Sequence, residues 1–232
     1  MPRNILFGSD IGISGAKQSQ LSRRRFLGFT AAAATLSVGL AACHKDDTNN
    51  MPAEGTDLGS GDEGILNYAY ALEQLEAAFY AQVLMSPYGG MPATEMALLA
   101  DIRDHEIAHR EFFKNALGSN AIKALTPDFS KINFSSRDSV LGAAKTFEDL
   151  GVSAYNGAGK LISNPAYLTI AGKIVSVEVR HAAYIRDLIS NGSFADSTDS
   201  NGMDMAMSPA DVLTAANTYL TTKVAGTNLP TS

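Results

Sequence analysis

Four stretches of this chain repeat apolar residues at helical period for about 24 to 27 residues each, and every one holds a glutamate inside its apolar stripe. They run from about Asp62 to Met85, from Thr94 to Leu117, from Ser136 to Leu161, and from Asn164-Pro165 to Asn191-Gly192. At the α-helical rise these are about 36 to 40 Å long, the proportions of a four-helix bundle. The ends carry their own signals: Ser60 or Asp62 as a first cap, Gly118 after the second helix, and Asn164 followed by proline at the first helical position of the fourth. No segment alternates long enough to make a convincing strand, so the expected fold is all-α, closed by a short helix opening at Ser208-Pro209.

The glutamates are patterned. Leu72 to Tyr80 reads LEQLEAAFY and Phe147 to Tyr155 reads FEDLGVSAY, so Glu73 and Glu148 each precede a tyrosine, Tyr80 and Tyr155, by seven positions. Seven residues at about 100° come almost full circle, which puts each carboxylate and its phenol on one stripe. The second and fourth helices instead carry DHEIAHREF and SVEVRHAAY, each with an E-x-x-H pair: Glu106 with His109, and Glu178 with His181. A pair at i, i+3 shares one helical face. Four glutamates on apolar stripes are costly in a bundle core unless cations compensate them. Four carboxylates and two imidazoles suit two adjacent divalent ions, and that donor set favours iron or manganese over copper or zinc.

Neighbouring residues leave choices. Glu76 is an alternative or additional first-helix ligand; Glu73 is preferred because it aligns with Glu148 and shares the step to tyrosine. Tyr80 and Tyr155 are expected to donate hydrogen bonds to ligand carboxylates and fix their angle. His105 is rotated by about 100° from Glu106 and reads as non-ligating. Asp101 and Asp104 either orient a histidine or lie on a solvated face. The methionines of MDMAM, Met203 to Met207, read as loop packing rather than a copper site.

The order Glu, E-x-x-H, Glu, E-x-x-H over four helices resembles the ferritin-like superfamily of di-iron and di-manganese carboxylate proteins. The wording YALEQLEAAFY, FEDLGVSAY and VEVRHAAYIRDL is most similar to its exported bacterial and desiccation-related members. The resemblance covers about Gly61 to Leu188. It implies an antiparallel bundle with a crossover between the second and third helices, for which LGSNAIKALTPDFSKINFSSR has the length. In such a site Glu73 and Glu148 would be terminal ligands, Glu106 and Glu178 bridges, and His109 and His181 capping imidazoles.

Charge and the N-terminus bear on location and partners. The chain has 18 basic and 24 acidic residues, a net charge of -6. Residues 1–42 hold five of the basic residues and one acid, so without them 13 basic face 23 acidic residues, a net of -10. Such a body is poorly matched to a phosphate backbone, and nucleic acid is not an expected partner. Ser22 to Cys43, SRRRFLGFTAAAATLSVGLAAC, pairs arginines with an apolar run too short for a bilayer span. It resembles a twin-arginine export signal ending in a lipobox, with Cys43, the only cysteine, as the lipidated residue. The expected organisation is a signal peptide over 1–42, a lipid anchor and tether over 43–61, the bundle over 62–190, and a polar loop with a short helix over 191–232. The chain thus reads as an exported lipoprotein, periplasmic or on the cell surface, tethered to a bacterial membrane. On this reading it is expected to hold two divalent ions, iron or manganese, and to act on O2, peroxide or Fe(II); the alternative is a non-catalytic metal-binding or stress-protective module. No protein partner is legible.

Overall fold

The computed structural model describes residues 55–231. The paired arginines, the apolar run and Cys43 lie outside the described residues. Strand β1 (Thr56–Asp57) leads into α1 (Gly61–Met85) and α2 (Ala93–Leu117); α3 (Arg137–Gly159), α4 (Pro165–Ile189), α5 (Pro209–Ala216) and β2 (Val224–Ala225) follow. Among the described residues, no helix is long and apolar enough to cross a membrane.

The four long helices form where the periodicity places them, and their caps explain the boundaries. Asp62 and Glu63 sit in the first turn of α1, where the helix dipole favours acids. Both Asp62 oxygens accept backbone N–H groups across the bundle, from Ser163 at 2.7 Å and Asn164 at 2.8 Å, pinning the α3–α4 turn to the start of α1. Ser136 accepts from Ser139 N–H and Asn164 from Ala166 N–H, capping α3 and α4. Gly118 ends α2 at φ +57°, a conformation that costs glycine little. Helix α3 stops at Gly159 rather than Leu161, because the chain tightens into a turn in which Leu161 N–H donates to Ala158 C=O at 2.9 Å.

The helices pack as two close pairs, α1 with α2 and α3 with α4, and α1 meets α3 across the bundle. Short connections make each pair antiparallel, and a long crossover joins α2 to α3. The crossover runs along α1: Ile122 N–H donates to Asn67 at 2.9 Å and Leu125 N–H to Gln74 at 2.8 Å. Further on, Phe129 packs edge-on and Phe134 tilted against Phe79, with ring centroids 5.9 and 6.0 Å away. Helix α1 is consequently buried along most of its length, whereas α2 and α4 bury a single face. Arg137 locks one end of the bundle, pairing with Glu95 of α2 at 2.9 Å and donating to Leu188 C=O of α4 at 2.8 Å.

A two-stranded parallel pairing is the element that the alternation pattern does not signal: Thr56 faces Val224 and Asp57 faces Ala225. Two residues per strand are too few for a period to register. Leu58, in the stretch read as tether, is fully buried with Leu220, Val224 and Leu229. The loop before α5 crosses α3 so closely that a Cβ on Gly157 would lie 1.7 Å from Met207 C=O.

Candidate metal centre

Each long helix delivers its glutamate to one point in the bundle interior. Glu73 of α1, Glu106 of α2, Glu148 of α3 and Glu178 of α4 are all 0% exposed. With the histidines they form two overlapping groups: Glu73, Glu106, His109 and Glu178, then Glu106, Glu148, Glu178 and His181. Within each group the donor atoms lie within 4.8 Å of one another. Glu106 and Glu178 belong to both, while Glu73 with His109 and Glu148 with His181 complete one group each.

Both histidines turn Nδ1 inward. His109 Nδ1 is 2.8 Å from Glu178 and 3.5 Å from Glu73 and Glu106. His181 Nδ1 is 2.7 Å from Glu106 and 3.5 Å from Glu148 and Glu178. These separations are short, yet the directions are wrong for hydrogen bonds. Both Nδ1 atoms, Glu73 Oε2, Glu148 Oε2 and all four oxygens of Glu106 and Glu178 are buried without a hydrogen-bond partner. Orphaned buried polar atoms on this scale are otherwise expensive, and here all point at the same small volume. Four carboxylates carry the charge that two divalent cations neutralise, with both imidazoles neutral. The residues fit such a pair of ions.

Without cations the charges must settle among themselves. Burial opposes protonation of His109 and His181, but the surrounding carboxylates win and push both up to about 12. Burial acts against Glu106 as well, but the two histidines pull it down to about 2. Glu148 is pushed up to about 8, chiefly by burial, with His181 pulling against it. Burial also raises Glu73 well above the usual carboxylate range, as His109 opposes and Glu178 adds.

The tyrosines cross over. Tyr80 of α1 donates its hydroxyl to Glu148 of α3, and Tyr155 of α3 donates to Glu73 of α1. Each phenol takes one oxygen of a carboxylate and leaves the other facing the centre. Glu76 belongs to neither group. It is buried beside Gly151, where a Cβ would lie 2.9 Å from its Oε1, and burial followed by repulsion from Glu106 and Glu178 raises it well above the usual range.

Asp101 and Asp104 are exposed, Asp104 pairing with Arg103 at 2.7 Å. The residue that reaches a histidine is His105, whose Nδ1 lies 2.9 Å from the outer Nε2 of His181. Its only trace in the sequence is an imidazole one turn before His109; the contact depends on the register between α2 and α4. Met203 and Met205 are exposed, and Met207 packs half-buried against the core.

Residues 61–191, more than half of the 232-residue chain, match the model of the ferritin-like domain family. No curated protein matches the chain. The chain belongs to the ferritin-like domain family, and its four helices and buried Glu/His cluster are those of such a bundle.

Proposed function

We propose that this ferritin-like chain is an exported, lipid-tethered protein that holds two iron or manganese ions and is redox-active towards O2, peroxide or Fe(II). One observation carries the metal reading: two donor groups share Glu106 and Glu178, and their inward atoms are buried with no other partner. Glu106 and Glu178, common to both donor groups, would be shared by the two ions; Glu73 and His109 would complete one position, and Glu148 and His181 the other. Bound iron or manganese would supply the electron transfer. The chain's own contribution is to orient and to insulate. Tyr80 and Tyr155 restrain the terminal carboxylates through hydrogen bonds, and the complete burial of all four glutamates keeps bulk water from them.

The export reading rests on Arg23 and Arg24 ahead of the apolar run and on Leu40-Ala41-Ala42-Cys43. Cys43→Ser should free the protein from membranes, and Arg23→Lys with Arg24→Lys should leave precursor in the cytoplasm. A Cys43→Ser chain that still sediments with membranes would overturn the lipid anchor.

A non-catalytic reading is favoured by the burial itself. Four carboxylates at 0% exposure make bound cations a strong source of folded-state stability, whether or not they turn over. Metal analysis of purified protein, with O2 and peroxide consumption measured on the same sample, separates the two. Two ions per chain with turnover supports the redox reading. Full occupancy with neither oxidant consumed, by iron or by manganese, leaves the stabilising role.

A further inference from the structure

The two ion positions have equivalent donors, one terminal glutamate and one histidine each, yet what surrounds them differs. His181 turns Nδ1 to the carboxylates, so its Nε2 points away from the centre, and there it meets Nδ1 of His105 at 2.9 Å. The two rings lie nearly parallel, 11° apart, with centroids separated by 5.1 Å. His105 is an exposed residue of α2 and His181 a buried one of α4. The internal duplication has no counterpart to this contact. His105 stands four residues before His109; four residues before His181 stands Val177, whose side chain has no hydrogen-bonding atom.

A ring nitrogen that faces a cation must present its lone pair, so the proton of a neutral imidazole belongs on the other nitrogen. With its own proton on Nε2, His105 offers Nδ1 as an acceptor at the place where His181 carries that proton. The hydrogen bond fixes the His181 ring plane before an ion arrives, keeps the proton on Nε2 when Nδ1 gives up its own as the ion binds, and makes Nδ1 a better donor. Val177, at the position of α4 that matches His105 in the duplication, has no atom that could give His109 the same help.

We propose that His105 is a positioning residue that makes the two ion positions unequal, so that the one at Glu148 and His181 fills first and more tightly. The inference rests on the metal-centre reading and adds an order of filling to it.

The test is titration of Co2+ into the metal-free, full-length protein without oxygen, followed by visible absorption and calorimetry. Wild type should bind in two resolved steps. Glu148→Gln should remove the tighter step, and Glu73→Gln the weaker. His105→Val should weaken the tighter step by about 10- to 100-fold, the usual effect of losing such a partner, and bring the two steps together. His105→Asn, whose side-chain oxygen can accept the same proton, should restore much of the separation. Because His105 itself is exposed, the metal-free His105 variants should still fold cooperatively, losing no more stability than one hydrogen bond contributes. Two equal sites in wild type, an unchanged tight step in His105→Val, an Asn variant as weak as Val, or loss of the tight step in Glu73→Gln would each overturn the inference while leaving the metal centre in place. Wild type binding no Co2+ would instead refute the metal centre itself, and the inference with it.

Discussion

Tyr80 of α1 donates its hydroxyl to Glu148 of α3, and Tyr155 of α3 returns the same bond to Glu73 of α1. The reciprocity follows from antiparallel helices: residues seven apart on one must meet residues seven apart on the other in reverse order. It explains why the stripe of glutamate and tyrosine occurs twice. Either bond alone would hold one terminal carboxylate; together they also set the register of α1 against α3. Tyr80→Phe should therefore weaken ion binding by about tenfold and destabilise the metal-free protein by about 1–3 kcal/mol, since a buried carboxylate oxygen loses its donor. Isothermal titration and urea unfolding measure the two effects. An unchanged affinity would show that the phenol plays no part in orienting Glu148.

Glu73 and Glu76 make a matched pair, one turn apart on α1 and both buried. Glu73 contributes to a donor group and Glu76 does not. Glu73→Ala should cost a large share of bound metal, whereas Glu76→Ala should keep it and, by removing a buried carboxyl that its neighbours repel, should not lower the metal-free melting temperature. Glu178→Ala with His181→Ala touches both positions and should abolish most metal binding and the stabilisation that accompanies it. Elemental analysis after dialysis reads all three variants. Metal loss in Glu76→Ala equal to that in Glu73→Ala would overturn the assignment.

Much of this was legible from spacing. Helices of three or more heptads impose a period that no loop imitates, and the alternation of Glu-x6-Tyr with E-x-x-H needs only helical geometry to be seen. What stayed hidden depends on pairing between distant elements. The contact of His105 with His181 needs the register of α2 against α4, which no local pattern encodes. Thr56–Asp57 and Val224–Ala225 each bond a segment far away in sequence and are too short to alternate. Nothing in the local sequence marks Gly157, two residues before the end of α3, as the point where a distant loop crosses.

That glycine yields a stability prediction independent of metal. Met207 C=O would sit 1.7 Å from a Cβ at position 157, and backbone is what must yield. Gly157→Ala should unseat the crossing loop from α3 and destabilise the fold by about 1–3 kcal/mol or more. Gly151→Ala meets only the flexible end of Glu76, at 2.9 Å, and should cost less. Denaturant midpoints of the two variants, compared at equal metal loading, decide the point. Equal midpoints would mean that the loop does not press on α3 as the geometry requires.

The pH dependence should invert on metal binding. In the metal-free protein Glu148 is raised from 4.5 to about 8, chiefly by burial, and Glu73 and Glu76 are raised too. A carboxyl raised in this way favours the folded state while protonated. Its contribution is complete below the unfolded value of 4.5 and is lost as pH climbs through the folded one. The histidines, raised from 6.5 to about 12 against the cost of their burial, add stability that is complete below 6.5 and drains away up to 12. Glu106, lowered from 4.5 to about 2, works in the other sense: its contribution is complete above 4.5 and is lost as pH falls through 2. Metal-free stability should thus peak in the mildly acidic range and decline towards alkaline pH. Ions reverse the trend, because they need carboxylates ionised and imidazoles neutral, and so bind more tightly as protons leave. The rise in melting temperature on adding Mn2+ should accordingly be small near about pH 5.5 and much larger near about pH 8.5. A rise of equal size at both would mean that the titrating cluster is not where the ions bind.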